Sequence, residues 1–341
     1  MQIPKGNISE SNNFSKQVRR LGILQSSSGG VLIVIFIIMV GLSLSTKDFL
    51  TLANFNVIIR NFSIGALVGL AQMVIIAIGG MNLAVGAIGG LVGIIAGGLM
   101  DKLGFSPFIA IPVGLLAGMI CGFWDGWVIT RFGVSGVTSF LVTLAGGSLF
   151  TGMTLGVTRV NPFYHLPASF RLIGNFKIGG LPLLLFIMLV VAIAVDFLFR
   201  KLALGRQILA VGGNIKAAEL SGVPVNRVVL TAFILSGLLS GIAAILLVAR
   251  LGSAQVDVGS DWMLASFAAP IIGGTRMSGG KVTVIGTVFG AILLALISNG
   301  LVFLNVSIYW TAFVQGVIIL SAVGIDRIRT LSGERLERRL S

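Results

Sequence analysis

The chain is poor in nearly everything that covalent or metal chemistry uses. One cysteine, Cys121, one histidine, His165, and two tyrosines stand among 341 residues. A lone cysteine forms no intrachain disulfide, so cysteine usage leaves the redox compartment open. Set beside Gly122 in an apolar segment, it reads as a small core residue. A single histidine without a cysteine partner makes no zinc-type cluster. There is no G-x-S-x-G elbow, no H-E-x-x-H and no close pair of carboxylates on an apolar segment, and His165 lies between prolines with Asn161 and Tyr164. The chain is therefore not read as an enzyme. Charge is scarce as well: 10% of residues are Asp, Glu, Lys or Arg, against roughly a quarter in a soluble domain. That shortage excludes a water-soluble fold.

What is abundant is apolar. Hydrophobic residues make up 56% of the chain and the mean hydropathy is +1.05. Apolar segments run near 29–45, 56–78, 82–100, 107–131, 137–157, 180–199, 228–250, 262–274, 283–304 and 309–326. Most reach the roughly 17–25 residues a helix needs to cross a bilayer, and runs this long do not suit a β-barrel. The fold class expected is all-α, a polytopic membrane protein of about ten transmembrane helices. The segment 262–274 is short and reads as a broken or re-entrant piece as readily as a full span.

The net charge of +13 does not point to nucleic acid, because the basic residues cluster at the ends of the apolar segments. With the N-terminus inside and ten alternating spans, 17 of the 24 Lys and Arg fall on the cytoplasmic side. This bias places both termini in the cytoplasm. The expected organisation is a cytoplasmic segment over 1–28, a transmembrane domain over 29–326 and a basic tail over 327–341. No cleavage signature precedes the first apolar run, which reads as an uncleaved helix.

The 47 glycines exceed the usual share of about 7%. They recur in small-xxx-small pairs, Gly114 with Gly118, Gly118 with Gly122 and Gly237 with Gly241 among them, as close helix packing requires. Two polar, glycine-rich breaks interrupt the apolar runs, Gly79-Gly80-Met81-Asn82 and a second from Gly273 to Lys281. Such breaks point to a transporter's pathway, where half-helix ends and unwound backbone can meet a solute. The second also reads as an ordinary cytoplasmic turn. It is not a phosphate-binding loop, since Thr275 and Val282 stand where that motif needs Gly and Ser or Thr.

Asp125, flanked by Trp124 and Trp127, is an ionisable group inside a span and a pathway candidate. Its other reading is an interfacial carboxylate near Arg131 with tryptophans in the aromatic belt. Asn82, Asn299 and Gln315 are uncharged polar residues whose default role is interhelical hydrogen bonding. Residues 200–227 form a connection far longer than the roughly 2–8 residues two helices need, with basic ends and a partly helical middle. A loop of that size is expected to dock something.

The segments AVGGNIKAAELSGVPVNR, LSGLLSGIAAILLVARLGSAQ and IIGGTRMSGGKVTVIGTVFGAILLALISNGLVFLNVS resemble the permeases of ribose-type ABC importers. The likeness covers the second half almost without gaps and the first half more loosely, through IGGMNLAVGAIGG and GVTSFLVTLAGGSLFTGMTL. It implies a multi-pass subunit of the bacterial cytoplasmic (inner) membrane, surrounded by lipid. It further implies a second permease copy, or a paralogous permease in a heterodimer, an outer solute-binding protein, and an ABC ATPase that binds ATP and Mg. No cofactor is expected in this chain.

By the resemblance, Gly212, Gly213, Asn214, Ala217, Ala218, Ser221 and Gly222 match the loop that meets the ATPase. Asn82 falls where an Asp is usual, Asp125 where an Asn is usual, and Met263 and Ala265 where acidic residues are usual. The pathway candidates are thus Asn82, Trp124, Asp125, Trp262, Met263, Ala265 and Asn299. The function expected is import of a sugar or sugar-like solute. Loss of acidic residues leaves open another pentose, a polyol, autoinducer-2, a nucleoside or a branched-chain amino acid. A passive channel and a membrane enzyme for lipid-linked substrates are the competing classes.

Overall fold

The computed structural model describes residues 27–45 and 49–307, together with 310, 313, 314, 316, 317, 320 and 324. The rest of the N-terminal segment, most of the 309–326 run, Gln315 and the 327–341 tail lie outside the described residues. The helices are α1 (Ser27–Ser45), α2 (Leu52–Ala77), α3 (Val85–Asp101), α4 (Pro107–Phe132), α5 (Gly136–Thr158), α6 (Ala168–Asn175), α7 (Leu183–Lys201), α8 (Ala203–Gly213), α9 (Ile215–Leu220), α10 (Val225–Leu251), α11 (Trp262–Ile272) and α12 (Val284–Phe303). Six of these, α2, α4, α5, α7, α10 and α12, are long and apolar enough to cross a membrane. Helices α1, α3 and α11 are apolar but shorter.

Two helices form the core because they are apolar all round. In α2 every residue from Ala66 to Ala77 is buried, and Thr51 caps the helix by accepting from Asn54 N at 3.3 Å. Helix α10 is its counterpart, packed against α2, α3 and α4. Helices α4, α5 and α7 instead leave large apolar side chains uncovered, such as Phe108, Ile120, Leu141, Val190 and Ile193. A face of that kind is stable against lipid hydrocarbon and costly in water.

Between helices there is no hydrophobic drive inside a bilayer, so close packing must hold them together. Helices α4 and α10 meet backbone to backbone. A Cβ on Gly122 would overlap Phe233 O, one on Gly237 would overlap Gly118 O, and one on Gly118 would lie 2.8 Å from Gly237 O. Gly122→Leu is therefore expected to wedge the pair apart, at a cost of about 1–3 kcal/mol. Measured as the thermal midpoint in detergent, it should fall by several degrees, whereas Gly156→Leu, with open space around it, should not. Equal midpoints for the two variants would refute this account of the interface.

The connection after α5 contains more than the apolar scan shows. Phe163 and Ala254 exchange backbone hydrogen bonds of 2.9 Å each, and His165 N donates to Asp101 Oδ1 at 3.0 Å. Helix α6 and a hairpin of β1 (Lys177–Ile178) against β2 (Leu181–Pro182) follow. The expected span 180–199 is shifted accordingly, since α7 starts only after Pro182. An all-helical reading misses this hairpin because two-residue strands carry no periodicity.

Candidate functional site: a glycine junction and a hydroxyl-lined groove

The first break separates α2 from α3 over residues 78–84. Unwound backbone within a membrane protein needs a partner for each polar group, and here side chains supply them. Met81 N donates to Ser139 Oγ at 3.2 Å, and the same hydroxyl donates to Met81 O at 3.1 Å. Leu83 N donates to Thr143 Oγ1 at 3.0 Å. In the amide orientation that satisfies both groups, Gln72 donates to Asn82 O at 2.9 Å and accepts from Asn82 N at 3.2 Å. The Asn82 side chain accepts from Ala84 N at 2.9 Å and donates to Ser236 Oγ at 3.0 Å. Asn82 is fully buried, and its groups face protein partners on α2, α3 and α10.

The second break joins α11 to α12. Thr283 Oγ1 donates to Gly273 O at 3.1 Å, Thr283 N donates to Thr275 Oγ1 at 3.3 Å, and Gly280 N donates to Ala77 O at 3.1 Å. That last bond ties the second break to the end of α2. The C-terminal end of α8 enters the same place. A Cβ on Gly212 would overlap Ala77 O and lie 2.6 Å from Gly280 N. Gly279, at φ +86°, sits where a Cβ would be 2.7 Å from both Gly212 O and Gly79 N. Three chain segments far apart in sequence thus meet through bare backbone at one point.

Outward from this junction, α8 and α9 present a surface. Gly213, Asn214, Ala217, Ser221 and Gly222 are exposed, Gly212 faces the junction and Ala218 is buried. Asn214 caps α9 by accepting from Ala217 N at 3.0 Å, and Ser221 Oγ donates to Ala217 O at 2.8 Å. Leu220, which the sequence reading passed over, is 90% exposed. Its signal was a lone apolar residue between Glu219 and Ser221 in an otherwise small and polar stretch.

The pathway candidates are not gathered in one place. Met263 lines an open groove of about 500 Å³ between α3, α5 and the 256–260 turn. Glycines 86, 90, 147, 152 and 259 form much of its wall, with Ser148, Thr151, Thr154 and Ser260 supplying hydroxyls. These α3 and α5 residues were not among the candidates; only the small and hydroxyl residues repeating along 136–158 mark them in the sequence. Trp262 and Ala265 line a separate cavity of about 270 Å³ between α2, α10, α11 and α12. The Trp262 ring rests on Gly89, where a Cβ would lie 2.7 Å from Cζ3.

Asn299 sits elsewhere, in a buried reciprocal amide pair with Asn54 at 3.1 and 2.8 Å. Trp124 is half-exposed on α4, 5.8 Å from the Trp127 ring, and Trp127 in turn carries the Arg131 guanidinium at 5.7 Å. Asp125 points the other way. It is fully buried against Gly146 of α5, and neither carboxylate oxygen has a hydrogen-bond partner among the described residues. Among the described residues no cluster of three His, Cys, Asp or Glu is placed to hold a metal ion.

Residues 54–323 match the family described as "Branched-chain amino acid transport system / permease component". The chain is 33% identical to the ribose import permease protein of Bacillus subtilis, over 92% of this chain and 96% of that protein. It is 34% identical to the D-allose transport system permease protein of Escherichia coli, over 88% and 91%. It is 30% identical to the L-arabinose ABC transporter permease protein of Azospirillum brasilense, over 88% and 87%. No solved structure matches the chain. The chain, a helical membrane domain matched over nearly its whole length by permeases, belongs to this family of transport-system permease components.

Proposed function

We propose that the chain is the membrane subunit of an ATP-driven importer for a sugar or sugar-like solute in the bacterial cytoplasmic membrane. The sugar class rests on the ribose, allose and arabinose relatives. Ten spans with both termini inside are part of the reading, on the charge bias of the sequence. In it, an outer solute-binding protein delivers the solute, and a second permease, identical or paralogous, closes the groove beside α5. A groove open to one side with hydroxyls along its wall supports that arrangement, because polar groups facing lipid are costly. Met263 lies in this groove, and its lack of charge favours a neutral polyhydroxylated solute. Asn82 acts from behind the wall, holding the break between α2 and α3.

The observation that carries the coupling part is the α8–α9 unit, exposed on one side and packed against both helix breaks on the other. An ABC ATPase, binding ATP and Mg, docks on Asn214, Ala217, Leu220 and Ser221. ATP then shifts the population between inward- and outward-open states through the docked unit. Leu220→Asp is expected to reduce co-purification of the ATPase at least about tenfold, as loss of a buried leucine contact implies, without changing the permease's own melting. Unchanged co-purification would remove Leu220 from the docking surface. The whole reading is tested by reconstituting the chain with its ATPase and binding protein and screening sugars and polyols for stimulated ATP hydrolysis. Solute flux through the permease alone, without ATP, would instead establish a channel.

A further inference from the structure

Trp262 and Met263 are neighbours on α11 but line different spaces, Met263 the groove and Trp262 the cavity of about 270 Å³ between α2, α10, α11 and α12. That cavity lies at the end of α10 remote from α8 and α9. Its lining joins a cation, Arg250, an anion, Asp261, and an amide, Asn61, to apolar walls that include Ile64, Val68 and Leu247. The two charges share the cavity without meeting, since among the described residues no ion pair joins them. Arg250 Nη1 donates to Asn61 Oδ1 at 2.7 Å, which leaves further guanidinium N–H groups to bond. Asp261 stands exposed just before α11 and makes no side-chain cap hydrogen bond to it. A few convergent polar groups set among apolar walls are the usual make-up of a small-molecule site.

We propose that this cavity binds one sugar-like molecule per subunit, as a solute site additional to the groove; the proposal rests on the reading of the chain as a sugar importer's subunit. A hydroxyl both donates and accepts. A polyhydroxylated ring therefore accepts from Arg250 and from the Asn61 amide, donates to the Asp261 carboxylate, and turns its C–H faces to Ile64 and Val68. Hydrogen bonds to charged groups are the strong ones, and here both partners are charged. A zwitterion answers only the two charges, whereas a sugar also uses the amide. The volume falls just below the roughly 300–1,000 Å³ of pockets for drug-sized ligands, which suits a single ring. Trp262 is buried, with its ring against Gly89, so one wall of the site is fixed. The turn over 256–260 that leads into α11 lines the groove, so a ligand in the cavity steadies the segment between the two spaces.

The test uses the full chain in nanodiscs, without ATPase or binding protein. Trp124, Trp127 and Trp310 are replaced by Phe, which leaves Trp262 as the reporter. D-ribose, D-allose and L-arabinose are titrated in turn, with L-leucine as the zwitterionic comparison. A saturable change in Trp262 emission is expected with at least one sugar and none with L-leucine. Asp261→Asn and Arg250→Gln should each weaken that binding at least about tenfold, while Lys102→Gln binds as the parent does. Asp261→Asn, at an exposed position, keeps the test open if Arg250→Gln fails to fold, and thermal midpoints check both. No change with any sugar, a response to L-leucine instead, or equal affinity in the parent and Asp261→Asn overturns the proposal. Uptake of the same sugars by the wild-type chain with its ATPase and binding protein separates the two readings. Absent uptake of every sugar sinks the importer, whereas normal uptake with a silent Trp262 sinks only the cavity site.

Discussion

Gly212→Val is expected to abolish solute uptake in reconstituted vesicles while ATP hydrolysis by the docked ATPase continues. The reason is steric. Gly212 lies against Ala77 O and Gly280 N with no room for a Cβ, so any side chain must push α8 away from the ends of both broken helices. Adjacent Gly213 has nothing within 4 Å of its Cβ position. Gly213→Ala should therefore assemble and transport, and the contrast between neighbours separates loss of the junction from general damage. The break that α8 touches is in turn held to α5 through Ser139 and Thr143 and to α10 through Asn82 and Ser236. A displacement of α8 thus reaches the groove wall through its backbone contact with Ala77 and Gly280 and then through these hydrogen bonds. Uptake at the wild-type rate by Gly212→Val would sever that route from the mechanism.

Asp125→Asn is expected to raise the thermal midpoint of the permease by several degrees. A carboxylate on a membrane-spanning helix costs about 3 kcal/mol, and here neither oxygen recovers any of it through a hydrogen bond. The amide is nearly isosteric, so the close contact with Gly146 is kept and only the carboxylate chemistry is lost. Asp125→Leu should also be tolerated if bulk alone is needed. Gly146→Ala, by contrast, should destabilise, because its methyl would overlap the Asp125 carboxylate. A lowered midpoint for Asp125→Asn would mean that the carboxylate has a partner in the assembled transporter.

The helical membrane core was legible because hydropathy writes it directly into the chain. Segments such as 56–78 and 228–250 coincide with α2 and α10 to within a few residues, since an apolar run of that length has one stable form in a bilayer. The long basic connection at 200–227 was also legible as a partly helical element, and it holds α8 and α9. The solute path was not. Asn82, Asn299 and Asp125 look alike in sequence as polar residues at depth. One brackets a helix break, one is paired with Asn54, and one has no hydrogen-bond partner among the described residues. A polar residue's meaning depends on what stands across from it, which comes from another helix.

By itself the sequence determined the class of molecule: an α-helical membrane protein with segments resembling those of permeases. Composition and periodicity suffice for that, because the bilayer leaves the backbone so few alternatives. Only the tertiary structure decided that Gly79, Gly212, Gly279 and Gly280 share one contact point, and that the groove wall is made by glycines and hydroxyls of α3 and α5. Backbone-to-backbone approach between segments so far apart in the chain leaves no local pattern. A glycine that merely turns the chain and one that seats another helix carry the same letter, and packing alone tells them apart.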